Sequence, residues 1–166
     1  MPLARARLLI HDDIIQPRPQ INLHFSGVNP TKFYHELPKI ISSVFRMHAG
    51  ALQEKKSQYT KGDTEKVKVS WEGFKDLDKF SFYQIELELE GSAPKGGVGT
   101  AAVQIKAGLR TEYPQDTYWE RSLLYEVLRM FWHTMSYQSK REEWLKEGRR
   151  LVAVFTDQVK KLAYSE

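Results

Sequence analysis

The stretch Phe80–Tyr113, FSFYQIELELEGSAPKGGVGTAAVQIKAGLRTEY, decides the fold. Its first half places Tyr83, Ile85, Leu87 and Leu89 on one face and Gln84, Glu86, Glu88 and Glu90 on the other. Its second half repeats the period, with Ala101, Val103, Ile105, Ala107 and Leu109 opposed to Gln104, Lys106 and Arg110. Alternation with a period of two is the mark of a strand with one buried face. Glutamates on one strand and cations on the next suit cross-strand pairing on a wet face, while the apolar face awaits helices.

Between these strands lies Lys95-Gly96-Gly97-Val98-Gly99-Thr100, one lysine short of the phosphate-binding loop KGGVGKT. Such a loop leads from a strand into a helix, whose N-terminus faces the anion. Here strand period continues on both sides, so the glycines are expected to close a hairpin.

Upstream, Leu8 and Ile10 alternate, as do Ile21, Leu23 and Phe25, with the breaker QPRP between them. Asn29-Pro30 caps and starts a helix carrying Phe33, Tyr34, Leu37, Ile40, Ile41, Val44 and Phe45 at helical spacing up to Gly50. Pro38 inside it predicts a kink or two short helices. The polar run at 51–66 reads as a loop or weak edge strand, and Val67, Val69 and Trp71 begin another strand.

Downstream, Thr117–Glu120 forms a capping box that opens a helix without proline to the end. A straight helix from Tyr118 to Tyr164 would run ~70 Å, against a domain diameter of roughly 40 Å. Leu124, Val127, Leu128, Phe131 and Met135 make one apolar stripe. Leu145, Gly148, Leu151, Val152, Phe155, Val159 and Leu162 make another, rotated from the first. Either the chain bends near Tyr137–Lys140 or the two halves pack on different surfaces. The expected fold is a single α+β domain over residues 1–166. An antiparallel sheet of about five strands is covered on one face by the kinked helix and the first half of the long helix. Residues 138–164 become a dimerisation element through Arg141, Leu145, Leu151, Val152, Phe155 and Val159.

Composition narrows the chemistry. The 166 residues carry no cysteine, which excludes disulfides, thiolate metal sites and cysteine nucleophiles and suits a reducing cytoplasm. The opening MPLARARLLIHDD lacks the apolar core of a secretory signal, and no apolar run reaches the ~20 residues of a membrane span. The five histidines never pair at helical spacing, and His35-Glu36 meets Lys39 where HExxH needs its second histidine. No GxSxG elbow occurs. These absences argue for a binding protein with no metal and no cofactor.

A net charge of +4 and a pI of 9.2 permit contact with phosphates. The candidates are Lys146, Arg149, Arg150, Lys160 and Lys161 on the long helix, and Lys55, Lys56 and Lys61 beside Tyr59. The alternative is a pocket for an apolar small molecule lined by Tyr83, Trp119, Leu123 and Phe131.

The stretches NPTKFYHELPKII, VSWEGFKDLDKFSFYQIELELEG and LRTEYPQDTYWERSLLYEVLRMFWHTMSYQSKREEW together resemble a family of small basic archaeal proteins. That family is similar to the archaeal factors that pair small ribosomal subunits during dormancy (hibernation). The resemblance implies a non-enzymatic, cytoplasmic homodimer acting on the ribosome or structured RNA, and assigns no contact residue. The element order is also similar to the helix-grip class, whose members hold apolar ligands between sheet and helix.

Overall fold

The computed structural model describes residues 9–48, 50–95, 97–113 and 123–164. The capping box, Trp119 and Gly96 lie outside the described residues, as do the side chains of Leu123 and Glu126. The chain runs β1 (Leu9–Asp13), β2 (Gln20–Val28), α1 (Pro30–Val44), β3 (Leu52–Thr60), β4 (Thr64–Asp76), β5 (Ser81–Pro94) and β6 (Gly99–Glu112). It ends in α2 (Leu123–Trp132), a π-helical turn (His133–Tyr137) and α3 (Gln138–Tyr164).

All strand pairs are antiparallel, in the order β1-β6-β5-β4-β3. β2 also pairs with β6, so β1 and β2 lie end to end along one edge of it. The segment between them turns inward and buries Ile14 and Ile15. The sheet thus has six strands, where the sequence suggests about five.

The Phe80–Tyr113 stretch forms the central hairpin with the expected faces. Tyr83, Ile85, Leu87 and Leu89 are buried, and so are Val103, Ile105, Ala107 and Leu109 on β6. On the wet face Glu86 sits opposite Lys106 with their charged groups 3.9 Å apart. Lys95–Val98 joins the two strands, so the glycine run turns the chain. A Cβ on Gly99 would stand 1.9 Å from the Ser92 carbonyl oxygen, which explains that glycine by close approach of the two strands.

Residues 52–60 are an edge strand, nearly all exposed, which is why they show no hydrophobic period. α1 is one continuous helix through Pro38 rather than two short ones. Phe33 and Leu37 before the proline and Ile41 and Val44 after it are all buried. Their burial, about 1.5–3 kcal/mol for each large side chain, outweighs the ~3 kcal/mol cost of an interior proline. Asn29 caps the helix by accepting from the Thr31 N–H at 2.9 Å.

The second half of the long helix, rather than the first, covers the sheet. Val152, Phe155 and Val159 of α3 are at most 3% exposed and join the core with α1 and the sheet. Leu145 and Leu151 pack against that core, and Arg141 is 4% exposed beneath α3. Of the six side chains expected at a dimer contact, Arg141, Val152, Phe155 and Val159 are buried within their own chain, and Leu145 and Leu151 are partly buried there. The first apolar stripe faces solvent instead, with Leu124, Val127, Leu128 and Phe131 on α2 and Met135 in the π turn all exposed. The π turn between the helices falls just before the bend expected at Tyr137–Lys140.

Candidate functional site

α3 owes its orientation to a narrow buried line: Arg141, Gly148, Val152, Phe155 and Val159. Gly148 lets the helix settle onto Ile14, since a Cβ there would lie 2.9 Å from the isoleucine side chain. With that line inward, the opposite side of the helix must carry Lys146, Arg149, Arg150, Lys160 and Lys161, and all five are exposed. They extend over ~22 Å of helix at 1.5 Å per residue. Arg150 is held by Glu147 through two contacts of 2.8 and 3.0 Å. The Arg149 Nε donates to the Ile14 carbonyl at 3.2 Å, which aims its guanidinium along the helix surface. Among the described residues Lys146, Lys160 and Lys161 have no carboxylate partner. The outcome is a face on which these five cations stand among Glu142, Glu143 and Asp157, with Arg150 already paired to Glu147.

The second basic cluster lies elsewhere, on the β3 edge. Lys55 is bound to Glu72 at 2.8 Å, and this contact with the Gln84 amide holds the Glu72 carboxyl below its ordinary range. Lys56 is exposed on the same strand. Lys61 lies over the Tyr59 ring at 5.6 Å, so that aromatic is already partnered. An open groove of about 630 Å³ crosses the wet sheet face nearby, with Gln58, Lys66, Lys68, Glu90 and His24 along it. Lys68 pairs there with Glu90 at 3.5 Å.

Of the alternative pocket, Tyr83 is buried and gives its hydroxyl hydrogen to the Trp144 carbonyl at 2.5 Å, whereas Phe131 is exposed. Burial, with Glu147 nearby, pushes the Tyr83 hydroxyl up to about 12. Trp119 and the Leu123 side chain lie outside the described residues. Phe25, Phe33, Phe45, Phe155 and Tyr83 fill the space between sheet and helices.

A buried polar chain at the π turn escaped the sequence reading. Arg141 donates to the Thr111 hydroxyl and to the Asp12 carboxylate. Thr111 and Ser81 hydroxyls meet at 2.7 Å, Ser81 and Tyr137 hydroxyls at 2.8 Å, and Tyr137 donates to Asp78 at 2.9 Å. Arginine only donates and the Asp78 carboxylate only accepts, so the hydroxyls align in one direction between them. Asp78 also accepts from the Phe80 and Ser81 N–H groups, both at 2.8 Å. Burial above all pushes the Tyr137 hydroxyl up to about 12. Beside it, Tyr113 and His133 Nδ1 are 2.7 Å apart. Burial, then the Arg141 charge, lowers the His133 pKa and so favours its neutral form. These hydrogen bonds clasp the π turn to the sheet. The signal for it in the sequence is weak, because its members lie far apart and only Arg141 stands out among apolar neighbours.

Among the described residues no three metal-ligating side chains converge, and no helix is long and apolar enough to cross a membrane. No protein-family model matches the chain, and no curated protein does. Among solved structures it is similar to a protein of unknown function from Staphylococcus aureus, at 10% identity over 96% of each chain, with a TM-score of 0.32. It is also similar to an uncharacterised protein from Rhizobium leguminosarum, at 10% identity over 92% of this chain and 99% of that one, with a TM-score of 0.21. Likeness at this level carries no functional argument.

Proposed function

We propose that the protein is a non-enzymatic, homodimeric binding protein for structured RNA of the ribosomal kind, engaging phosphates through the outer face of α3. The observation that carries this reading is the cationic ridge. Five cations are exposed on one helix face whose other side is locked into the core, so they form a fixed row instead of a flexible tail. Rigid lysines and arginines along a helix suit the regular phosphates of a nucleic-acid backbone. The basic groups of β3, Lys56 above all, extend the cationic surface on another side of the molecule. The self-satisfied polar chain under α3 fits a structural role better than catalysis. The aromatic filling between sheet and helices favours this reading over a pocket for an apolar ligand.

Co-sedimentation with purified ribosomes tests the reading. At about 50 mM salt the protein pellets with ribosomal particles, and it is released steeply toward about 200 mM as counterions compete. Protein that stays in the supernatant at every salt concentration rules the function out.

A further inference from the structure

Helix α2 carries an apolar face that its own chain leaves to solvent. Leu124, Leu128 and Phe131 recur at spacings of four and three residues on one side of α2, and Met135 continues the apolar face into the π turn. Val127 and Trp132 flank the seam, and the six side chains are 47% to 66% exposed. Among the described elements α2 meets chiefly the π turn that follows it. The helix is anchored beside the seam: Arg129 lies over the Tyr113 ring at 5.4 Å, and one face of the half-exposed Trp132 stacks on Tyr137 at 5.1 Å. The stripe is therefore held outward on an anchored helix.

Its size identifies the kind of cover it needs. Six side chains of this bulk, half to two-thirds exposed, offer on the order of 700 Å². That exceeds the ~300–600 Å² of the largest apolar patch on a typical monomer. It approaches the ~800 Å² that each partner buries in a standard stable interface. The charges identify the occupant. A helix lying on a lipid surface carries lysines and arginines around its apolar face, whereas Arg129 is the single cation in α2. A helix that selects a foreign partner carries charges beside its seam, whereas Val127 and Trp132 occupy those positions. An uncharged seam with apolar flanks is complementary to its own image, and a two-fold axis lets the same stripe serve both sides.

We infer that two copies of this chain meet through α2, packing the Leu124–Leu128–Phe131–Met135 seams against each other across a two-fold axis. This deepens the proposed function, on which it rests for the use of the dimer, by placing the interface on α2 and leaving the α3 ridges free. The dimer is measured on protein alone, so its failure is distinguishable from failure of RNA binding.

Light scattering coupled to gel filtration of the full chain gives the test. The wild type has twice the chain mass at tens of micromolar. Leu128→Glu and Phe131→Glu each halve that mass while keeping the circular dichroism and cooperative melting of the wild type, since both residues lie on the surface of the chain's own fold. Val154→Glu, exposed on α3, leaves the dimer intact. A monomeric wild type overturns the inference, including one that binds phosphatidylcholine–phosphatidylglycerol vesicles. So does a dimer that persists in both folded α2 variants, or one that Val154→Glu dissociates.

Discussion

Phe155 and Arg141 show what the inner side of α3 does. Phe155 is fully buried between sheet and helix. Phe155→Ala is predicted to lower the unfolding free energy by about 3–5 kcal/mol, read from the urea midpoint. Phe155→Glu is predicted to abolish cooperative unfolding, because its charge has no partner in the core. Arg141 is buried, but Asp12, which it pairs with, is half-exposed. Asp12→Ala removes an acceptor from a buried guanidinium still bound to Thr111, so the expected cost is about 2 kcal/mol. A loss below about 0.5 kcal/mol would place the pair with ordinary surface ion pairs. The tyrosines give a pH signature. Tyr83 and Tyr137 have folded values of about 12, against 10.0 for the free side chain. Both are neutral in the folded and unfolded chain below pH 10, and their contribution is complete there. As pH rises from 10 to 12 the unfolded chain ionises first, so stability falls. Tyr137→Phe is predicted to make that fall shallower in urea titrations between about pH 9 and about pH 11.5. An identical slope would show that Tyr137 does not titrate with unfolding.

The elements differ in how openly the sequence states them. β5 and β6 are legible because each has one wet and one dry face, so every second residue reports the fold. β3 is nearly illegible, since both of its faces are exposed and no period remains. The long helix is legible as two stripes but misleading about which one is core. The α2 segment is the more apolar of the two, and apolarity alone favours burying it. α3 is seated by a thin buried line of Gly148, Val152, Phe155 and Val159, with Gly148 admitting Ile14. The same close approach governs α1. A Cβ on Gly91 would come within 2.5 Å of Pro30, the first residue of that helix. Gly91→Val is predicted to cost about 1–3 kcal/mol by prying α1 from β5, measured as a lowered melting temperature. Unchanged melting would mean that the start of α1 shifts freely.

At the scale of the whole molecule, the sheet and two helices form a closed core with two outward faces of different character. The α3 face is cationic and rigid, and the α2 face is apolar and uncharged along its seam. The basic residues of the first face were legible in the sequence by type, as the pairs Arg149-Arg150 and Lys160-Lys161. Their place on one outer face, shared with Glu142, Glu143 and Asp157, was legible from the helical period as well, and all five are exposed. The buried polar chain was hidden, since Asp12, Ser81, Thr111 and Tyr137 become neighbours only through strand register and the π turn. The central claim is that the ridge meets phosphates. Its most direct test is fluorescence anisotropy of the full chain with a labelled ribosomal RNA hairpin across a salt series, comparing the wild type with Lys146→Ala/Lys160→Ala/Lys161→Ala. Each phosphate contact contributes roughly 0.7–0.9 to the slope of log affinity against log salt. Phosphate contact by these lysines gives binding by the wild type and a slope about 2–3 shallower in the triple variant. Equal affinity and equal slope in the two proteins, or no binding by the wild type at low salt, would contradict it.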